Sequence, residues 1–259
     1  MVDRVNHELR LLVDGAAQRR WAWSPWRPRC LGCGDHGAGG RDLCPACDAA
    51  LPRIHAACAT CGLPLRAGAA DVDAPGAAAS DNPRCEACCR SPPPLTCVVA
   101  PFLYSAPLDR WLPRFKFHHD LAAGRLLSQL MLEACATAPR PEALVPVPLH
   151  RTRLRSRGYD QALELAKPLS RALSLPLRTD LLARTRATAA QSSLHATARQ
   201  GNLRGAFAVA PAAGEGPLPA HAALVDDVMT TGATLHAAAH ALLAAGVTRV
   251  DAWTCARTP

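Results

Sequence analysis

The stretch from Ala222 to Thr234 concentrates residue types that could handle a phosphorylated sugar. Ala222-Ala223-Leu224-Val225 is a short apolar run suited to a buried parallel strand, and Asp226 and Asp227 follow at its carboxyl end. Met229-Thr230-Thr231-Gly232-Ala233-Thr234 then leads into a helical pattern. Amides at a helix start, at the positive end of its dipole, make an anion site. Gly232 allows close backbone approach, and three threonine hydroxyls add donors. The adjacent carboxylates do not suit phosphate directly. They suit sugar hydroxyls, near a Mg²⁺ that neutralises a pyrophosphate. An ordinary exposed strand end would need neither the strand before nor the Thr-Thr-Gly-x-Thr after.

A second chemistry lies in four Cys-x-x-Cys pairs: Cys30 and Cys33, Cys44 and Cys47, Cys58 and Cys61, Cys85 and Cys88. A two-residue gap lets both thiolates of a knuckle face one ion, and two knuckles complete a tetrahedral Cys₄ zinc shell. Such closed shells are structural, with no open position for a substrate water. Pairing in sequence order gives Cys30, Cys33, Cys44 and Cys47 for one zinc and Cys58, Cys61, Cys85 and Cys88 for another. A cross-braced pairing, or one filled site beside an idle one, stays open. Cys89 reads as a bystander, and Cys97, Cys135 and Cys255 as small core residues.

These groups need positioning elements. The segment 1–29 reads as a short helix from Val5 to Arg20 and a Trp/Arg-rich lead-in, 30–90 as a double zinc ribbon, and 95–259 as an α/β domain. Gly68 to Pro83 has linker composition, and Ser91-Pro92-Pro93-Pro94 looks like a stiff boundary. Strands are expected at Thr96–Tyr104, Leu144–Pro148, Ala206–Ala210, Ala222–Val228 and Arg249–Cys255. Helices are expected at Leu121–Ala136, Gln161–Leu173 and Ala233–Ala245. Alternation of this kind implies a mostly parallel sheet with helices on both faces.

The chain has 259 residues and a formal net charge of +8, nearly all of the excess being arginine, since Lys116 and Lys167 are its lysines. That balance favours polyanionic partners, nucleotides or nucleic acid, without choosing between them. The polar start lacks the apolar segment of a secretory signal, and no apolar run is long enough to span a membrane. A cytoplasmic location is expected, where cysteines point to metal before disulfides.

Val225 to Thr234 resembles the phosphoribosyl-pyrophosphate (PRPP) signature of type I phosphoribosyltransferases. More narrowly, residues 30 to 257 resemble the ComF family, named for competence in DNA uptake. The blocks that carry this are the double-ribbon cysteines, Val145-Pro146-Val147-Pro148-Leu149-His150, Arg157-Gly158-Tyr159-Asp160-Gln161-Ala162, and Gln191 through Asn202 before Gly205-Ala206-Phe207. Asp160 stands where the family pattern more often has asparagine. The resemblance implies a type I phosphoribosyltransferase fold behind a small zinc-ribbon module. Thr230 to Thr234 would hold the 5′-phosphate, with Met229, Gly232 and Ala233 in the same loop, and Asp226 and Asp227 would face the ribose as the catalytic pair. Leu149, His150 and Arg151 would form the pyrophosphate loop. Arg151, Arg153, Arg155 and Arg157 lie near the strand end, Arg157 foremost, though arginines on a solvated helix are the plainer reading of that run. The stretch Arg184 to Arg204 matches a mobile lid over PRPP, with Gln191, Arg199 and Asn202 as its contact residues. Lys116 sits in a family-like block with its role open.

The function expected is a PRPP-binding phosphoribosyltransferase-like protein acting with Mg²⁺ in DNA uptake, its acceptor unidentified. The alternative is a single-stranded-DNA-handling competence protein, working with a competence helicase, in which PRPP is regulatory and no transfer occurs. A glutaminase half is not expected, because no cysteine reads as its nucleophile.

Overall fold

The computed structural model describes residues 28–65, 83–186, 205–209 and 216–259. The expectations for 1–27, for nearly all of the Gly68–Pro83 linker and for Gln191, Arg199 and Asn202 lie outside the described residues. The chain divides into two compact units, Met1–Leu51 and Pro52–Pro259.

In the first unit, Arg29 bridges His36 antiparallel and the Gly34 amide donates to the Cys30 carbonyl at 2.9 Å. This closes a tight turn around Cys30 and Cys33, with Gly34 at φ 86°. The second pair opens helix α1 (Pro45–Ala49), where Cys44 is the N-cap and its sulfur accepts from the Cys47 amide at 3.4 Å.

The second unit repeats that construction. Ala57 bridges Pro64, the Gly62 amide donates to Cys58 at 2.9 Å, and Cys85 stands at the N-cap position of helix α2 (Glu86–Arg90), though without a side-chain cap bond. Strands β1 (Val98–Val99) and β2 (Phe102–Leu103) follow, then helices α3 (Leu108–Phe117) and α4 (Leu121–Cys135). Next come β3 (Ala143–Pro146), α5 (Arg151–Arg157), α6 (Gln161–Leu173), β4 (Leu182–Arg184) and β5 (Phe207–Val209). The remainder is β6 (His221–Met229), α7 (Ala233–Ala244) and β7 (Arg249–Arg257).

The central sheet runs β1-β7-β6-β3, with β2 also on β7, and every pairing in it is parallel. A parallel sheet must be covered on both faces. On one face, Ala222, Leu224, Val250 and Ala252 share a core with Leu235, Ala238, Ala239 and Leu242 of α7 and with Leu182 and Phe207. The alternate residues of β6 and β7, Ala223, Val225, Trp253 and Cys255, are equally buried. They belong to the other face by the two-residue strand period, where α6 packs on β3 and β6 and α4 packs on β7.

The structure differs in detail from the sequence expectation. Thr96–Tyr104 is not one strand, because Pro101, which has no N–H, separates two short pairings with β7. Helix α3 and the antiparallel β4–β5 pair were not foreseen. No helix among the described residues is long and apolar enough to cross a membrane.

Candidate phosphate cleft and cysteine clusters

Strands β3 and β6 run in register from Ala143↔Ala222 to Pro146↔Val225 and end side by side. Their carboxyl ends, with the following turns, line a cleft of about 680 Å³. Ligands of open parallel sheets bind at that edge. Asp226, Asp227, Met229, Thr230, Gly232, Ala233 and Thr234 all contribute to its wall. Thr231 is exposed beside it, its hydroxyl accepting from the Ala233 amide at 3.4 Å.

Gly232 turns the chain into α7 at φ 80°. A Cβ there would lie 2.6 Å from Met229 Cε and 2.9 Å from His236 Nε2, so a side chain would meet both strain and a clash. The first turn of α7 thus presents its amides to the cleft.

Asp227 is 3% exposed, and its carboxylate meets Lys116 Nζ at 2.9 Å. Burial works against the Lys116 charge, but Asp227 holds its ammonium above the ordinary value. Asp226 has no such partner at contact distance among the described ion pairs. Burial, aided by the charge of Asp227 and only partly offset by Lys116, pushes its carboxyl up to about 8. Arg153, Arg157 and Arg184 also line the cleft, so its cations outnumber its carboxylates.

The residues after β3 are fixed by capping. His150 is the N-cap of α5, its Nδ1 lying 2.9 Å from the Thr152 hydroxyl. Asp160 caps α6, accepting from Ala162 at 2.9 Å and Leu163 at 3.2 Å through one oxygen. Its other oxygen accepts from the Leu149 amide at 2.9 Å, tying the turn after β3 to the start of α6. The i, i+4 spacing of α5 sorts the four arginines. Arg153 and Arg157 reach the cleft wall, while Arg151 and Arg155 are exposed and do not line it. Arg157 donates to Gln161 Oε1 at 2.9 Å and lies 4.9 Å over the exposed Phe117 ring.

The sulfurs of Cys30, Cys33, Cys44 and Cys47 all lie within 4.8 Å of one another, and those of Cys58, Cys61, Cys85 and Cys88 do the same. This grouping follows sequence order and is not cross-braced. Zn–S bonds of about 2.3 Å put tetrahedral sulfurs about 3.8 Å apart. Cys33 and Cys44 are 3.7 Å apart, as are Cys61 and Cys85, so both quartets fit a structural zinc. Burial opposes ionisation of Cys30, yet the Cys44, Cys33 and Gly32 amides bring its thiol down to about 6. Cys58 is also buried and also held at about 6, by the Thr60 hydroxyl and the Cys85 amide.

Competence protein F of Haemophilus influenzae is 37% identical over 179 residues, which cover 67% of this chain and 78% of that protein. DNA utilization protein YhgH of Escherichia coli K12 is 33% identical over 223 residues, 83% of this chain and 90% of that protein. YhgH of Salmonella typhimurium is 32% identical over the same coverage. The chain belongs to the ComF/YhgH family. No protein-family model matches it.

In this ComF/YhgH-family chain the cleft gathers Leu149 and Arg157 with the Asp226–Thr234 loop apart from Thr231, whereas His150 and Arg151, expected in the pyrophosphate loop, are not in its lining. It also includes Arg184, which the sequence reading had only as the start of the lid stretch, and Tyr104 and Thr258, which it did not assign. Arg184 had a local signal, an arginine at the end of an apolar run in Leu181-Leu182-Ala183-Arg184. Tyr104 and Thr258 had none, because they reach the site only through the pairing of β2 with β7.

Proposed function

We propose that this protein is a PRPP-binding, phosphoribosyltransferase-like member of its family that acts in the cytoplasm during DNA uptake. The observation that carries the reading is the Asp226-Asp227 pair and Thr230–Thr234 loop at the carboxyl end of β6, facing a cationic cleft. The parallel sheet supports a type I phosphoribosyltransferase fold for 95–259, with a double zinc ribbon over 30–90. The amides and hydroxyls of Thr230 to Thr234 hold the 5′-phosphate, and Asp226 and Asp227 accept from the ribose hydroxyls. The turn of Leu149, His150 and Arg151, with Arg157, receives the pyrophosphate, which enters with Mg²⁺ as part of the substrate. Lys116 serves as the internal counter-ion of Asp227 until the ligand arrives. Gln191, Arg199 and Asn202 belong to the segment that closes over it.

In transfer, the bond from ribose C1 to pyrophosphate breaks through an oxocarbenium-like transition state, and an acceptor nucleophile bonds to C1. The residues named here position the reactants and stabilise the separating charge, with no covalent intermediate required. The acceptor class is left open by the cleft's few aromatic groups.

A second reading is favoured by what the relatives are called, a competence protein and a DNA utilization protein. In it the protein handles single-stranded DNA alongside a competence helicase, and PRPP only regulates. Calorimetric titration with Mg²⁺ and PRPP, run on the zinc-loaded protein and on an Asp226→Ala, Asp227→Ala variant, tests the common core. Binding by the wild type alone is expected. A folded wild type that takes up no PRPP would sink both readings of the cleft. Pyrophosphate release on addition of an acceptor separates the first from the second.

A further inference from the structure

Arg257, in the last register position of β7, is 6% exposed. A guanidinium at that depth must spend its donors on the protein. Its Nε donates to the Cys61 carbonyl at 2.8 Å, and its Nη1 donates to the Met229 carbonyl at 3.1 Å and to the Thr230 carbonyl. Cys61 belongs to the second cysteine quartet, and Met229 and Thr230 open the phosphate loop. One rigid planar fork therefore joins the two, a geometry that lysine's single ammonium cannot reproduce.

The consequence for the loop follows from peptide geometry. A trans peptide carries its C=O and N–H antiparallel. Fastening the carbonyls of Met229 and Thr230 on the guanidinium therefore turns the amides of Thr230 and Thr231 the opposite way. Those amides are among the donors that a phosphate bound at Thr230–Thr234 requires. At the other end, four thiolates around one divalent ion leave the quartet net negative, which favours a buried cation beside it. Burial works against the Arg257 charge, and the cysteines of this quartet pull the other way.

We propose that Arg257 is a positioning residue through which the metal-bound Cys58, Cys61, Cys85 and Cys88 quartet sets the amide geometry of the phosphate loop. Metal occupancy of that quartet and affinity for a phosphate at Thr230–Thr234 are then linked, and the linkage is reciprocal. The part concerning affinity rests on the PRPP reading above. The part concerning loop order does not.

The test is amide hydrogen exchange on the full, zinc-loaded, ligand-free chain, followed at 228–234, with 222–226 of β6 as the reference for global opening. Arg257→Gln and Cys85→Ser, which opens the second quartet, should each speed exchange at 228–234 roughly tenfold while 222–226 stays protected. Cys33→Ser, which opens the first quartet, should leave both segments unchanged. The Arg257→Gln, Cys85→Ser double variant should exchange no faster than the faster single, because both act through one link. Additive acceleration, or unaltered exchange at 228–234 in Arg257→Gln, overturns the proposal. If Arg257→Gln does not fold, stepwise zinc withdrawal from the Cys33→Ser protein reads out the same segment. Calorimetry with Mg²⁺ and PRPP separates the two claims. A wild type that fails to bind defeats the PRPP reading and leaves the exchange result standing. Equal PRPP affinity in wild type and Arg257→Gln defeats the linkage alone.

Discussion

Asp226 and Asp227 are neighbours in sequence, but a strand sends consecutive side chains to opposite faces. Asp227 meets Lys116 of α3 at 2.9 Å, while Asp226 lies on the side where its charge is felt by Arg184. The pair is thus divided into a member that pairs with Lys116 and a member whose carboxyl is pushed up to about 8. The folded protein holds a proton on Asp226 that the unfolded chain releases at an ordinary carboxyl pKa near 3.8. Folding therefore loses stability from this group as pH rises between those two values, and the loss is complete above the upper one. Asp226→Asn removes the effect. Thermal melts should show the variant gaining on the wild type between pH 5 and pH 9, while its PRPP binding falls. Melting curves that stay parallel across that range would refute the assignment. A ligand hydroxyl or cation that favours the carboxylate should also expel the proton, making binding near neutral pH release protons to buffer.

At the scale of elements, Asp160 does two jobs with one carboxylate, capping α6 and holding the Leu149 amide. Asp160→Ala should cost about 1 kcal/mol for the lost cap, seen as a lower unfolding midpoint in urea. It should also weaken PRPP binding, because the turn after β3 loses its tie. Asp160→Asn keeps the cap through its amide oxygen, and restoring the midpoint without restoring ligand affinity would show that the Leu149 contact is separable. The sequence carried the strong periodicities of this fold plainly. The apolar run of β6, the α7 pattern and the helix from Gln161 all lie within a residue or so of where they were expected. Helix α3 escaped although Leu108, Trp111, Leu112 and Phe115, all buried, follow i, i+3, i+4, i+7 spacing. Pro113 inside it and the short run hid the period. The cysteine pairs and the Asp-Asp, Thr-Thr-Gly loop were legible because local spacing alone defines them. Arg257 and Tyr104 were not, because their neighbours are set by strand pairings far apart in sequence.

For the molecule as a whole, the excess of arginine has two possible employers, the cleft and a polyanion outside it. Arg155 is exposed on α5 and does not line the cleft. If single-stranded DNA is held by such contacts, log affinity should fall with log salt by about 0.7 for each phosphate engaged. Fluorescence anisotropy of an oligonucleotide across a salt series measures that slope. Replacing Arg155 with glutamine should flatten it while leaving PRPP binding intact, and an unchanged slope would place the DNA elsewhere. The position of β7 has a bearing on how the protein is made. It follows every other described element in the chain, yet it lies between β1 and β6. A ribosome delivers β1 first, and Val98 can only find Ala252 after everything between them has emerged. Until then the apolar faces of β6 and of the early strands have no common neighbour, and long-range parallel pairing is slow. Translation must finish β7 before either the sheet or the phosphate loop can close. A chain interrupted before Arg257 would lack the link proposed between the second cysteine quartet and the Met229–Thr230 carbonyls.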